Sequence, residues 1–229
     1  MPDAPIHAPE PLDQAPDARE SLAPQTPARK RPKPGERRVQ ILQALASMLE
    51  QPGGERITTA ALASRLDVSE AALYRHFASK AQMFEGLIEF IEQTVFTLVN
   101  QIVEREQEVG DGVPGLGQRQ AAKVVAMLVQ FAEKNPGMAR VMVGDALVFE
   151  NERLQQRMNQ FFDKIEVTLK QCLREGVPAN ASSTPTVDAQ VGASVLAAFV
   201  GGRLQRFVRS GYKRQPSEYL EASLRVLLG

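Results

Sequence analysis

The sequence is poor in the residues on which catalytic and metal sites depend. Among its 229 residues there are one cysteine, two histidines and no tryptophan. The single thiol, Cys172, cannot form an internal disulfide, and no Cys/His cluster with zinc-ligand spacing occurs. The two histidines are His7 and His76. Neither a Ser/His/Asp set nor a Gly-rich phosphate loop is recognisable in the sequence. The sequence therefore predicts no metal and no cofactor, and it argues against an enzyme.

Long apolar runs are also lacking. No run of about 18 apolar residues occurs, so no membrane-spanning helix is expected. The N-terminus is rich in proline and aspartate and lacks the apolar core of a secretory signal. With only one cysteine in addition, these features favour a cytoplasmic protein that has no membrane partner.

The formal net charge is zero, but the charge is unevenly distributed along the chain. Residues 1–27 sum to −4, whereas residues 28–80 sum to +5. Because a nucleic-acid site needs local positive charge rather than a basic protein as a whole, the second segment is a candidate for binding phosphates.

Proline content separates an N-terminal segment from the rest of the chain. Nine of the 15 prolines lie in the first 34 residues, where aliphatic side chains are few. Such a segment cannot bury enough apolar surface to offset its ordering entropy, so we expect residues 1–34 to be a disordered tail with a basic end. The basic run that continues to Arg37 and Arg38 is either a solvated charge run or an arm that lies on DNA.

From residue 35 onward the apolar pattern is helical. Val39, Ile41, Leu42, Leu45 and Leu49 form a stripe at near-3.6 spacing, and no convincing alternating strand pattern occurs. Further helices are predicted at about 59–66, 70–77, 81–106, 118–134, 137–149, 151–175, 187–210 and 216–228. The predicted fold class is all-α with about nine helices, divided into a domain over 35–80 and a larger helical domain over 81–229.

The segment from Thr58 to Phe77 reads as a helix-turn-helix. Thr58 is a good N-cap for a first helix, and Ser69 can cap a second one after a three-residue turn. An ordinary helical hairpin of a bundle is the alternative, but the capping, the short turn and the nearby basic charge favour a DNA-reading unit. The exposed side of the second helix would then present Ser69, Glu70, Ala71, Tyr74, Arg75 and His76.

Other residues near this unit are candidates for contacts with the DNA backbone. Thr58 and Thr59 begin a helix whose N-terminus can face a phosphate, and Tyr74 and Lys80 have the side chains of phosphate contacts. For His76, a structural or backbone-contacting role is favoured over base readout.

Specific runs of residues resemble the TetR family. The run Leu-Tyr-Arg-His-Phe-Ala-Ser-Lys, which ends at Lys80 and follows Val-Ser-Glu-Ala-Ala, is similar to the signature of that family. Three later stretches, 133–140, 145–165 and 206–213, are similar to the branch of the family that inhibits the division protein FtsZ. The resemblance implies an N-terminal three-helix helix-turn-helix domain, a C-terminal helical dimerisation domain, and a homodimer that binds a palindromic DNA site.

The same resemblance implies a function and a partner. Proteins of this branch bind scattered chromosomal sites and, when bound to DNA, oppose FtsZ assembly, so a nucleoid-associated division inhibitor is expected. By motif position the FtsZ surface comprises Phe90, Met127, Gln130, Lys134 and Asn135. The residues alone favour a core position for Phe90, Ile91 and Phe96, and only the resemblance favours the partner surface.

Two alternatives follow from the C-terminal region. The dimer interface is expected from about 151–175 and 187–210, where Gly192, Gly201 and Gly202 would permit close helix approach, although a monomeric core helix is the alternative. A ligand-responsive repressor is the alternative function, and it would require an enclosed pocket with polar anchors. Residues 81–200 show no obvious polar cluster, so no small-molecule effector is expected.

Overall fold

A computed structural model describes residues 35–51, 56–110, 115–175 and 183–229. The predicted tail, 1–34, lies outside these residues. Within them the chain forms helices and no strands, so the predicted all-α class with about nine helices is confirmed. The helices are α1 (Glu36–Leu49), α2 (Thr59–Arg65), α3 (Glu70–Tyr74), α4 (Lys80–Gly110), α5 (Leu116–Lys134), α6 (Pro136–Met142), α7 (Glu152–Glu175), α8 (Pro185–Arg209) and α9 (Leu220–Leu228).

Two helices of the C-terminal part are several residues shorter than the apolar pattern predicts. The helix expected over 137–149 ends at Met142, because Gly144 has a φ of 79° that no α-helix tolerates. A short 3-10 turn, Asp145–Leu147, follows it. The helix expected over 216–228 begins only at Leu220, since Tyr219 before it has a left-handed φ of 56°.

Helices α1, α2 and α3, which we call the head, share a core with the first turns of α4. Ile41, Leu45, Leu62 and Leu73 are almost completely buried, as are Phe77 and then Met83 and Phe84. Helices α2 and α3 have only seven and five residues, too few to be stable alone in water. Their shape therefore depends on packing against α1 and α4.

The head is attached to the rest of the chain through the end of α1. Gly137 of α6 lies so close to α1 that a Cβ atom there would be 2.1 Å from the carbonyl oxygen of Ala46. The hydroxyl of Tyr212 donates to the carbonyl of Leu49 at 3.0 Å, and Arg140 donates to the same oxygen at 3.4 Å. These donors satisfy a carbonyl at the helix end that has no partner within α1.

Helices α4, α5, α7 and α8 form a bundle with one continuous apolar core. On α7 the buried side chains recur at helical spacing: Leu154, Met158, Phe161, Ile165, Leu169 and Cys172. Phe161 packs edge-on against Phe96 of α4 with ring centroids 5.6 Å apart. In the described part of the chain, no helix is long and apolar enough to cross a membrane.

Candidate nucleic-acid interface and partner surfaces

The two predicted N-caps of the head are present. The side chain of Thr58 accepts a hydrogen bond from the backbone N–H of Ala61 at 3.1 Å, and that of Ser69 accepts from Ala72 at 3.3 Å. Each cap satisfies a backbone donor that the first turn of a helix leaves without a partner. The capping prediction is therefore confirmed, and it fixes where α2 and α3 begin.

The predicted DNA-reading side chains share the solvent-facing side of α3. Leu73 points into the core, whereas the side chains predicted to face DNA are exposed: Ser69, Glu70, Ala71, Tyr74, Arg75 and His76. The helix itself ends at Tyr74 rather than near 77, so Arg75 and His76 belong to the turn that follows. The surface thus combines a hydroxyl, a carboxylate, a phenol, a guanidinium and an imidazole within eight consecutive residues.

Three of the DNA-contact candidates, Thr59, Glu70 and Tyr74, are linked between α2 and α3. The hydroxyl of Thr59 donates to a carboxylate oxygen of Glu70 at 2.5 Å, and the hydroxyl of Tyr74 lies 3.5 Å from the same Thr59 oxygen. This network joins the start of α2 to both ends of α3. It fixes the position of the Glu70 carboxylate on the exposed surface.

The arginine pair before the head has a structural contact. Arg38 donates to the backbone carbonyl of His76 at 2.8 Å, and its guanidinium lies 4.1 Å from the centre of the Phe77 ring. Arg38 therefore binds the turn that follows α3, while the neighbouring Arg37 is half-buried. The side chain of His76 is exposed, and its role stays a prediction.

Lys80, predicted to contact phosphate, is engaged by the C-terminal part of the chain. Its ammonium group pairs with the carboxylate of Glu150, and its side chain is only 20% exposed. Glu150 also faces Arg56, whose Nε lies 3.9 Å from the same carboxylate oxygen. Sequence reasoning missed both Glu150 and Arg56, because no local signal joins residues so far apart in the chain.

A capping signal before Lys80 was also missed. The hydroxyl of Ser79 accepts from the backbone N–H of Gln82 at 3.2 Å, and the Gln82 side chain accepts from Ala78 at 2.9 Å. The spacing Ser-x-x-Gln is the sequence signature of a capping box, although Gln82 here accepts from Ala78, one residue before the Ser79 cap. It fixes the start of α4 directly beside the head.

The residues expected to contact a protein partner lie on α4 and on the end of α5. Phe90 is 47% exposed, Gln130 and Lys134 are exposed, and Met127 is half-buried. The side-chain amide of Asn135 donates to the carbonyl of Phe131 at 2.7 Å, which fixes the end of α5. Phe90 is thus not a core residue, unlike the fully buried Ile91 beside it.

The pairing of α4 with α5 brings these residues to the same level. The two helices are antiparallel, and the amide of Gln120 donates to the carbonyl of Val103 at 3.1 Å. Phe90 lies 13 residues before Val103, and Glu133 lies 13 residues after Gln120. The register therefore places Phe90 opposite the last turn of α5, where Lys134 lies.

An apolar face of α8 remains uncovered. Val187, Val191 and Val195, which we call the valine row, recur every four residues and are exposed, with Val191 at 57%. Val167 of α7 is exposed as well. A Cβ atom at Gly201 or Gly202 would meet nothing within 4 Å, so both glycines border open space.

Gly192 has a different environment from the other two glycines of α8. A Cβ atom there would lie 2.9 Å from a methyl group of Leu173, so this glycine permits the close approach of α7 and α8 within one chain. Of the three glycines predicted to allow close helix contact, only Gly192 is thus explained by packing within the chain.

A cleft of about 490 Å³ lies between the head and the C-terminal part of the chain. Arg56, Arg140 and Glu150 line it together with the exposed side chains of Val148 and Phe149. Within residues 35–51, 56–110, 115–175 and 183–229, no group of three or more His, Cys, Asp and Glu side chains is arranged to hold a metal ion.

Three ionisable side chains outside the head have raised pKa values: Cys172, Tyr212 and Arg157. Burial raises the pKa of the Cys172 thiol from 9.0 to about 11, so it is a neutral side chain at neutral pH rather than a nucleophile. Burial also raises the pKa of Tyr212. The hydrogen bond from Arg157 to Glu92, 2.6 Å long, raises the pKa of that guanidinium and keeps it charged.

Two protein-family models match the chain. The model described as bacterial regulatory proteins, tetR family, matches residues 41–87. The SlmA-like model described as tetracyclin repressor-like, C-terminal domain, matches residues 119–228. The first match contains the whole of α2 and α3, and the second contains all of α6 to α9.

Curated relatives named nucleoid occlusion factor SlmA are similar to the chain over most of both sequences. The relative from Idiomarina loihiensis is 48% identical over 191 residues, which cover 83% of this chain and 93% of the relative. That from Aliivibrio fischeri strain MJ11 is 50% identical over 188 residues, covering 82% and 91%. That from Vibrio vulnificus strain YJ016 is 50% identical over 190 residues, covering 82% and 92%.

Solved structures with little sequence identity share the fold. The transcriptional regulator FadR from Bacillus subtilis, solved in complex with stearoyl-CoA, superposes with a TM-score of 0.63 at 14% identity. The superposition covers 83% of this chain and 97% of that chain. At this identity the likeness shows the fold alone.

Proposed function

Because the chain belongs to the TetR family, in the branch of the nucleoid occlusion factors named SlmA, we propose that it is a nucleoid occlusion factor. It binds palindromic chromosomal sites as a homodimer and, on DNA, inhibits assembly of the FtsZ ring over the nucleoid. The observation that carries the proposal is an overall identity of 50% over 188 to 190 residues, a match too long to leave out either the head or the C-terminal bundle. A ligand-responsive repressor is not favoured, since a reading head alone would explain only the first part of this similarity.

In the proposed complex α3 enters the major groove of DNA. Its exposed side supplies base and phosphate contacts, and the start of α2 with Thr58 and Thr59 faces the backbone. Arg37 and Arg38 precede the head and add positive charge, which strengthens binding to phosphates regardless of sequence. Lys80 joins this surface once it is released from Glu150.

The proposed homodimer forms through α7 and α8. The valine row and the neighbouring Val167 offer an apolar strip that a second copy covers with the same strip, as a two-fold symmetric interface requires. Gly201 and Gly202 leave room beside this strip for the backbone of the partner helix. Two heads held in this way match the two halves of a palindromic site.

The proposed FtsZ surface is centred on Phe90. Aromatic rings are frequent anchors of protein interfaces, and the ring of Phe90 is available to a partner because it is exposed. Lys134, at the same level of the bundle, adds a positive charge beside it, with Met127 and Gln130 on the preceding turns of α5. Asn135 contributes by fixing the end of that helix.

Sedimentation of FtsZ polymers tests this function. FtsZ from the same organism is assembled with GTP and pelleted, with the protein alone and with the protein plus a duplex selected by it from a random-sequence pool. We expect less pelleted FtsZ when protein and duplex are both present. A pellet unchanged by the duplex, with DNA binding intact, would refute the FtsZ proposal.

A matched pair of variants locates the partner surface. Phe90→Ala should abolish the effect on FtsZ while leaving DNA binding unchanged, because Phe90 is not part of the DNA-reading surface proposed on α3. Val226→Ala on α9 removes an apolar side chain that is even more exposed than Phe90, 83% against 47%, and should behave as wild type. Equal inhibition by both variants would exclude Phe90 as an anchor.

A further inference from the structure

Glu150 joins the C-terminal part of the chain to two cations beside the head. Its carboxylate pairs with the ammonium of Lys80, the first residue of α4, and faces Arg56 just before α2. The side chain of Glu150 is only 8% exposed. A carboxylate this little exposed needs a cationic partner, because an unpaired charge out of water is strongly destabilising.

The two cations differ in how firmly Glu150 holds them. Lys80 is in direct contact with the carboxylate and is largely shielded from solvent. Arg56 is 63% exposed, and its Nε is 3.9 Å from the carboxylate, while its Nη2 donates to the carbonyl of Phe149 at 3.2 Å. Arg56 is therefore already anchored beside Glu150 and needs only a small shift to become its main partner.

Lys80 is also a candidate phosphate contact, for which DNA would compete with Glu150. It follows the exposed residues Arg75 and His76 by a short capped turn, on the side of α4 nearest the head. A lysine ammonium has three donors but a single charge, which cannot fully compensate both a buried carboxylate and a phosphate. Binding of DNA by Lys80 therefore requires Glu150 to find another partner.

We propose that Glu150 lowers the affinity of the protein for DNA by holding Lys80. When DNA binds, Arg56 replaces Lys80 as the ion-pair partner of Glu150. Glu150 is thus a positioning residue outside the head that opposes phosphate binding. This inference rests on the proposed DNA-binding function, and it adds a residue that competes with DNA.

The position of Glu150 connects this exchange to the rest of the chain. It lies in the short segment between the 3-10 turn Asp145–Leu147 and the first turn of α7. Two further ion pairs join α4 to α7 beyond it, between Glu85 and Arg153 and between Glu92 and Arg157. Together with the Lys80–Glu150 pair they form a row of three ion pairs that begins on α4. Release of Lys80 therefore breaks the ion pair nearest the head.

Titration of DNA with four variants tests the exchange. The probe is the selected duplex, and affinity is measured by fluorescence anisotropy over a range of salt near about 0.1 M. Glu150→Gln should bind about threefold to tenfold more tightly than wild type and with a steeper salt dependence, because Lys80 is then free to displace a counterion. In a Lys80→Met background the same change should alter affinity by less than about twofold. Glu152→Gln, a nearby exposed acid with the same charge change, is the control and should have little effect.

Arg56→Ala provides a second measurement if Glu150→Gln melts at a much lower temperature. Without Arg56, Lys80 can leave only by exposing an unpaired Glu150, so DNA affinity should fall about threefold or more. That fall should disappear when Glu150→Gln is also present, which separates this role from a direct phosphate contact of Arg56.

The outcomes separate this inference from the proposed function. If wild type shows no salt-dependent binding to any selected duplex, both fail. If wild type binds and Lys80→Met weakens binding, but Glu150→Gln gives no gain, only the inference fails. An equal gain from Glu150→Gln with and without Lys80 also overturns it, since the effect would then be general electrostatics.

Discussion

Two helix pairs, α2 with α3 and α7 with α8, expose surfaces of opposite character, one polar and one apolar. The head pair has seven and five residues and shows polar side chains whose positions depend on caps and on the Thr59–Glu70–Tyr74 network. The bundle pair has 24 and 25 residues, buries apolar side chains along its whole length, and still exposes the valine row.

This contrast explains why the two surfaces suit different partners. A short polar pair supported from behind presents hydrogen-bonding groups to a polyanion without a stable structure of its own. A long pair with its own core can expose aliphatic side chains that only another protein surface would cover. The polar surface therefore needs rigid support, whereas the apolar one needs a second copy.

The largest effect is expected from disrupting the apolar surface. Val191→Glu places a charge in the centre of the proposed dimer seam, so the protein should become monomeric and lose about a thousandfold in affinity for a palindromic duplex. Sedimentation equilibrium and anisotropy measure the two properties. Val226→Glu, at a more exposed valine on α9, should remain dimeric. A dimeric Val191→Glu protein would show that α8 is not the seam.

A smaller but still large effect is expected where the head is attached. Gly137→Ala should lower the free energy of unfolding by about 3 kcal/mol, because its methyl group would meet the backbone oxygen of Ala46. Gly86→Ala is the matched control on α4, where a methyl group would meet only side-chain atoms of Leu42 and Phe77 at about 3.3 Å. Urea unfolding of both variants checks the difference. Equal losses would contradict the close approach of α6 to α1.

The polar surface should be more tolerant of single changes. Tyr74→Ala is expected to weaken binding to the duplex about tenfold, since it removes a candidate phosphate contact and one member of the network in the head. Tyr219→Ala removes an exposed tyrosine far along the chain and should bind as wild type. If Tyr219→Ala weakened DNA binding and Tyr74→Ala did not, the head would not be the DNA-binding surface.

The smallest effect concerns the buried thiol of the bundle. Because the pKa of Cys172 is about 11 in the folded chain and ordinarily 9.0, the unfolded thiol loses its proton first as pH rises. The stability that this difference contributes is fully present below about pH 9 and is lost toward pH 11. Relative to its value near pH 8, the free energy of unfolding should fall by about 1 kcal/mol more at pH 10 in wild type than in Cys172→Ala. Parallel pH curves for the two proteins would contradict the raised pKa.

Features encoded locally could be predicted from the sequence. Thr58 and Ser69 cap helices at the expected positions, because a cap needs only its own side chain and the next three residues. Apolar periodicity likewise predicts most of the long helices. The early end of α6 was missed because Gly144 looks like any glycine until its φ of 79° is known.

Features that depend on distant parts of the chain could not be predicted in this way. The contacts of Arg38 with His76 and of Lys80 with Glu150 join residues that only the packing of the head against the bundle brings together. Phe90 and Ile91 are adjacent apolar residues on α4, and the residues alone favour burial of both. Only the direction of α4 relative to α5 decides that Phe90 is the exposed one.

Helix α4 belongs to both regions, and its length has a consequence for DNA recognition. Its 31 residues span about 46 Å, from the core of the head to the far end of the bundle. In the proposed dimer, a tilt of α4 by about 5° would move the attached head by about 4 Å, close to one base-pair step of about 3.4 Å. The bases that the protein accepts are then set by α3, but the distance between half-sites that it accepts is set by the angle of α4.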